Sequence, residues 1–310
     1  MSAQHASIAS IDHTDRCEDA TLIYEGDAQT AAVYVVIDGM GGHQYQNDEG
    51  EWVTGREAAQ MVREVLLEDL ARLPYDVSAN PGELAEQKAI AALTRANQRI
   101  YEYLNGQGKR DLTARVGAVA TVVIVCEEGK RLLVAQVGDT RAYLLSEGEF
   151  FQICEDEDNI AYLVQSGMID DDDAYRITQI INTFDGTKEP DAPGTVSIQG
   201  QTYDLYIAWR WFWGGNSALG IPGGNVVINA LGIQEEDPVP QTSRMEVNAG
   251  DTLLLASDGI YKNLNEAEIT ALLPDDEAAT KLMEAAYARS QDATNRRATP
   301  DDISAVVVRF

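Results

Sequence analysis

The chain has 310 residues, of which 45% are hydrophobic, and carries a formal net charge of −28 from 23 basic and 51 acidic residues. That apolar share supports a large core and excludes disorder, while the charge argues against nucleic acid or an anionic membrane as partner. No run of about 18 apolar residues occurs, and Met1 to Ser10 lacks the charged and apolar regions of a signal peptide, so a cytoplasmic protein is expected.

Residues 21–25 and 31–38 read as a strand hairpin. Val33-Tyr-Val-Val-Ile37 is β-branched almost throughout, as in a strand buried on both faces, and it stops at Asp38-Gly39-Met40-Gly41-Gly42-His43. Thr54-Gly-Arg-Glu57 has capping-box spacing and opens a helix with Ala58, Val62, Val65, Leu70 and Leu73 at helical spacing. Asn80-Pro81-Gly82-Glu83 opens a second helix that runs to about Leu104. Two amphipathic helices in succession need a sheet or each other as cover.

Strands follow at 115–126, 131–137 and 140–145, then a short helix at 158–167 and an acidic helix start at Asp170 to Asp173. Residues 178–224 are rich in Gly, Pro, Thr and Asp, and contain the burst Trp209-Arg-Trp-Phe-Trp213. On a strand its three tryptophans share one face, either covering the segment's own small core or left as a docking surface. Strands near 225–230, 243–247 and 252–257 come next. Helices at 265–273, capped by Asn265 with Glu268, and at 276–289 precede a closing strand from Ile303 to Phe310. Neither a repeat nor a linker divides the chain.

An acid recurs at the mouth of strand after strand. Glu18-Asp19 precedes the first, Asp38 ends the second, Asp139 follows 131–137, Asp258 follows Leu253-Leu-Leu-Ala-Ser257, and Asp301 precedes the last. A carboxylate on a rigid strand, backed by a glycine carbonyl, suits a hard cation that takes oxygen ligands, although an ordinary Asp-Gly turn explains each motif singly. Brought together, such acids repel one another unless divalent cations sit among them, and removing one is expected to relieve that repulsion. Two ions about 3.5–4 Å apart are an established device for activating water against a phosphoryl group.

Other chemistries fail on inspection. Cys17, Cys126 and Cys154 are too few for a disulfide framework, and Ile23, Leu132 and Ile160 stand where a Cys-x5-Arg loop needs arginine. Gly-x-Ser-x-Gly and Gly-x4-Gly-Lys-Ser/Thr are absent, and three histidines do not make a histidine-rich metal site.

Cys17-Glu-Asp-Ala20, Val36-Ile-Asp-Gly-Met-Gly-Gly-His43, Ala135-Gln-Val-Gly-Asp-Thr-Arg-Ala-Tyr143, Leu254-Leu-Ala-Ser-Asp-Gly259 and Asp301-Asp-Ile-Ser304 resemble, in order, the motifs of the metal-dependent, type 2C-like Ser/Thr protein phosphatases. Met40 and His43 resemble the bacterial branch. The resemblance implies an α+β fold, a four-layer αββα sandwich of two antiparallel sheets flanked by helix pairs. It implies one such domain over 1–310, with 178–224 as an inserted flap. It also implies two Mn2+ or Mg2+ ions, with Asp38 bridging them, the Gly39 carbonyl and Asp19 on one, and Asp258 and Asp301 on the other. Glu18 is a further candidate ligand, and Asp139 is the candidate for a third ion.

The implied activity is hydrolysis of phosphoserine and phosphothreonine in proteins by a metal-activated water, opposing a Ser/Thr kinase. A phosphoprotein-binding regulatory module and a small-molecule phosphoester hydrolase are the alternatives. The sequence departs from the family at Thr14, where a phosphate-binding arginine is usual, leaving Arg16 or His13 to serve. It departs again at Met40, where many members have a histidine, leaving leaving-group protonation to water or His43.

Overall fold

Two five-stranded antiparallel sheets lie face to face between helical layers. The computed structural model describes every residue except 1, 14–15, 28, 41–43, 75–81, 107–109, 112–113, 127–129, 188–193 and 224–225, and the side chains of His13 and Trp213. The strands in chain order are β1 (Ser2–Ile8), β2 (Ala20–Tyr24), β3 (Ala32–Gly39), β4 (Tyr45–Gln46), β5 (Trp52–Val53), β6 (Ala118–Cys126), β7 (Arg131–Val137), β8 (Arg141–Ser146), β9 (Glu149–Gln152), β10 (Thr195–Ile198), β11 (Gln201–Asp204), β12 (Gln241–Glu246), β13 (Thr252–Ala256) and β14 (Ile303–Arg309). One sheet runs β12-β7-β6-β3-β2 and the other β1-β14-β13-β8-β9, with β4-β5 and β10-β11 as small ribbons.

The helices are α1 (Gly55–Leu70), α2 (Glu83–Arg99, continued by a π turn to Leu104), α3 (Asn159–Gln165), α4 (Asp171–Thr183), α5 (Leu205–Gly214), α6 (Asp258–Tyr261), α7 (Glu266–Leu272) and α8 (Ala278–Ser290).

Strand alternation explains the layering. In β3, Val33, Val35 and Ile37 point to α1 and α2, while Ala32, Tyr34 and Val36 meet Leu253, Leu255, Val306 and Val308 of the other sheet. In β13, Leu254 and Ala256 instead face α6, α7 and α8. Strands covered on both sides have no polar face, which is why their sequences are continuous apolar runs. The αββα expectation therefore holds. The helix starts hold too: Thr54 with Glu57 and Asn265 with Glu268 both form complete capping boxes. At the second helix the residue before Glu83 is Gly82, with φ 87 and no side-chain cap, and Asn80 and Pro81 lie outside the described residues.

One strand goes unannounced in the sequence, and two local expectations are overturned. Nothing in Ser2-Ala-Gln-His-Ala-Ser-Ile8 announces a strand; β1 exists because it pairs with β14 in unbroken register from Ser2↔Arg309 to Ile8↔Ile303. The strand at 225–230 does not form among its described residues, which contribute one bridge, Val227 to Asp158. The tryptophan burst is helical rather than extended. Asp204 caps α5 by accepting from the Tyr206 and Ile207 amides at 3.0 and 3.3 Å. On a helix Trp211 points to a different side from Trp209, so the face expected on a strand does not form. Trp209 and Phe212 are buried in a separate core with Ile160, Leu163, Ile177, Val196 and Ile221, and Trp211 packs against it.

Candidate metal centre

Strand register gathers the acids at one end of the sandwich. Asp19 immediately precedes β2, whose first residue pairs as Ala20↔Ile37, so it lies beside Asp38. Asp38 and Gly39 do not form a turn; they continue the ladder as Asp38↔Val119 and Gly39↔Ala118. Asp258 is not in a turn either, but opens α6 directly after β13. The pairing Ala256↔Ala305 sets it against Asp301 and Asp302 at the start of β14. Asp139 sits in the connection that carries the chain from β7 in one sheet to β8 in the other.

Two glycines are required by close backbone approach. A Cβ on Gly39 would lie 2.4 Å from the Gly55 carbonyl oxygen and 2.6 Å from that of Glu18. One on Gly259 would lie 2.1 Å from the Asp302 carbonyl oxygen. Glycine thus lets α1 and the Glu18–Asp19 segment close directly onto the end of β3.

Asp19, Asp139 and Asp258 are buried, whereas Asp38 and Asp301 keep some solvent access. Burial, then the charges of Asp19, Asp258, Asp301 and Asp139, push the Asp38 carboxyl well above the usual range. Burial and Asp302 do the same to Asp19; burial and Asp258 do it to Asp301 and raise Asp139 to about 7. These acids are therefore within mutual electrostatic reach. Among the described residues, no three acidic, histidine or cysteine side chains form a ready-made cage.

Both oxygens of Asp19, and Oδ1 of Asp258, are nevertheless buried with no hydrogen-bond partner. The neighbouring Ser257 and Ser304 hydroxyls ease the Asp19 charge without reaching it in hydrogen-bond geometry. Ser257 Oγ accepts from the Ser304 amide, and Ser304 Oγ donates to Ser7 Oγ, both at 2.9 Å. Orphaned buried carboxylate oxygens are costly, and an all-oxygen donor set fits a hard divalent cation.

Several residues that sequence patterns passed over hold this arrangement. The Asp302 carboxylate accepts from the Ser10 and Glu18 amides, each at 2.6 Å, and so ties β14 to the segment bearing Asp19. Asn263 donates to the Gly259 and Thr299 carbonyls, both at 2.9 Å, fixing α6 against the Asp301 segment. Tyr261 donates its hydroxyl to Asp139 O at 2.9 Å and Oδ2 at 3.2 Å. Lys262 forms an ion pair with Asp258 Oδ2. The i,i+4 spacing of Asp258 and Lys262 was the one legible signal among these, and it requires knowing that the segment is helical. Glu18 is buried beside Asp19, and Arg16 is half-buried with Nε lacking a partner. His43 and Thr14 lie outside the described residues, as does the His13 side chain. The Cys17 thiol is pushed up by burial and by Asp19 and Asp302, so it stays protonated.

Beyond Asp139, buried Arg141 pairs with Asp156 at 2.5 Å and stacks over the Tyr261 ring at 3.5 Å. Nearby Asp158 caps α3 through the Ile160 and Ala161 amides at 2.9 and 3.1 Å. Burial, then Asp156, raise its carboxyl to about 6. The folded group holds its proton up to about pH 6 and the unfolded one releases it near pH 4, so stability is lost as the pH rises between these values. Asn caps equally well without the charge. Asp158→Asn is expected to stabilise the protein by about 1 kcal/mol more at pH 7.5 than at pH 5, measured by denaturant unfolding. A pH-independent loss would show the charged cap to be favourable.

Residues 9–299 match the sequence model of the family described as protein phosphatase 2C. The chain belongs to the protein phosphatase 2C family. The serine/threonine phosphatase stp of Listeria innocua is 25% identical over 256 residues, covering 83% of this chain and 77% of that one. The crystal structure of Stp1 from Staphylococcus aureus superposes with a TM-score of 0.67 at 20% identity, over 100% of this chain and 95% of that chain. The catalytic domain of PstP in complex with two manganese ions superposes with a TM-score of 0.60 at 22% identity, covering 99% and 96% of the two chains. At such identities the structural likeness concerns the fold.

Proposed function

We propose that this phosphatase 2C family member hydrolyses phosphoserine and phosphothreonine in proteins, using two divalent metal ions, Mn2+ or Mg2+. The observation that carries this reading is the set of buried, partnerless carboxylate oxygens on Asp19 and Asp258, set among acids that raise one another's pKa. Asp38, central to that mutual influence, would bridge the ions. The Gly39 carbonyl and Asp19 would hold one, Asp258 and Asp301 the other, and Glu18 stands next to the first. Bound ions would supply the activated water and neutralise charge on the phosphate oxygens. Arg16, with a buried Nε lacking a partner, is the candidate to orient the phosphate. Asp302 and Asn263 keep the two ligand groups in register.

We further read the chain as a single domain over 1–310, with 178–224 as a flap within it; the flap's apolar core draws also on α3 and the start of α4. The matching substrate is a phosphoprotein made by a Ser/Thr kinase, and the setting is the cytoplasm; among the described residues no helix is long and apolar enough to cross a membrane. The test is hydrolysis of p-nitrophenyl phosphate and a phosphothreonine peptide. Turnover of both is expected with manganese, with loss on chelation and recovery on readdition. Failure on both in excess manganese would reject the assignment; turnover of the small ester alone would redirect it to small phosphoesters.

A further inference from the structure

Lys262 stands among the acids on one side only. Its backbone amide donates to the Asp258 carbonyl at 2.9 Å, which fixes the residue one helical turn on. Its ammonium then reaches back to Oδ2 of the same aspartate. Both side chains are almost inaccessible, at 7% and 11%. The partition of Asp258 follows: Oδ2 is taken by the ammonium, while Oδ1 is buried with no partner. Lys262 and Asp139 also line the same cavity, of about 30 Å3, room for roughly one water. Asp139 has its own donor, since Oδ2 accepts from Tyr261.

The two sides of the cluster therefore differ. Asp19 presents two partnerless buried oxygens. On the other side, Oδ2 of Asp258 and Oδ2 of Asp139 each already have a donor from the chain itself. We infer that the Lys262 ammonium is a fixed counter-cation of the cluster, standing between Asp258 and Asp139 in the place where a third divalent ion would otherwise bind. This rests on the two-ion reading above and sets a side chain in place of the third ion for which Asp139 was the sequence candidate. A buried ammonium carries one charge, is present whatever the metal concentration, and has no open coordination position. It leaves Asp258 Oδ1 for an ion and removes Asp139 from the set of metal ligands.

Manganese uptake by the whole chain, counted from the electron paramagnetic resonance signal of unbound Mn2+ and by calorimetry, tests this without any assay of turnover. The wild-type chain is expected to saturate at two ions. Lys262→Gln and Lys262→Met are expected to take up a third, with at least a tenfold gain in affinity at that position. Lys262→Arg should remain at two, and adding Asp139→Asn to Lys262→Gln should remove the third. Three ions in the wild-type chain would overturn the inference by itself, needing no variant to fold. So would Lys262→Gln remaining at two ions with a native circular-dichroism spectrum. Binding of no manganese by the wild-type chain would reject the two-ion reading itself, an outcome distinct from a count of three.

Discussion

Asp38→Ala is expected to lower manganese-dependent turnover of p-nitrophenyl phosphate by at least three orders of magnitude. The carboxyl lies at the focus of the cluster, influenced by Asp19, Asp258, Asp301 and Asp139 together. A ligand shared by two ions fixes their separation, and removing one member of a catalytic unit forfeits most of its effect. The fold should survive, because Asp38 has no cationic partner among the described residues and its loss relieves repulsion in the metal-free protein. Asp258→Ala should be equally inactive, but here the simple repulsion argument fails. It leaves Lys262 buried without its ion-pair partner, so the metal-free variant is expected to lose about 2–3 kcal/mol of stability. Wild-type turnover by Asp38→Ala would overturn the bridging role. Equal melting temperatures for the two chelated variants would show that the Lys262 pair contributes nothing.

The largest expected loss of stability belongs to Arg297→Met. Arg297 is 1% exposed. Its guanidinium donates to five backbone carbonyls: Asn263 at 3.4 Å, Ile181 at 2.5 Å, Phe184 and Leu264 at 3.0 Å, and Tyr261. One side chain thereby joins the end of α4, which belongs to the separate core around Trp209, to the segment that follows Asp258. Burial draws its pKa down to about 10, yet at neutral pH the five acceptors keep it charged and satisfied. Methionine fills the volume but leaves buried carbonyls unpaired, at about 1–3 kcal/mol each before relaxation, so a net loss of about 3–5 kcal/mol is expected in denaturant unfolding. Manganese affinity should weaken as well, because the Tyr261–Leu264 segment carries Lys262 and abuts Asp258. A loss below about 1 kcal/mol would mean that water or neighbouring donors replace the guanidinium.

The layers follow from residue pattern alone, because burying a strand on both faces demands the apolar runs at 33–37, 118–126 and 253–256, and burying a helix on one face demands the spacing at 58–70; Leu73, expected on that helix, lies beyond its end. Capping boxes at Thr54 and Asn265 are local chemistry, complete within four residues, and were legible for that reason. The candidate acids were legible as well, since each sits at the end of a strong strand pattern and the family motifs recur in order. Tertiary structure alone decided what depends on partners distant in the chain. β1 has no propensity of its own and exists through β14, some 300 residues away. The tryptophan burst became a helix because Asp204 capped it and a local core claimed Trp209 and Phe212. Gly39 was readable as a glycine beside an acid, but its reason is Gly55 crossing against it. Asp302, Arg297 and Lys262 carry charges that read on paper as solvated surface. Only the fold, by closing backbone and carboxylates around them, turned those charges into buried clamps.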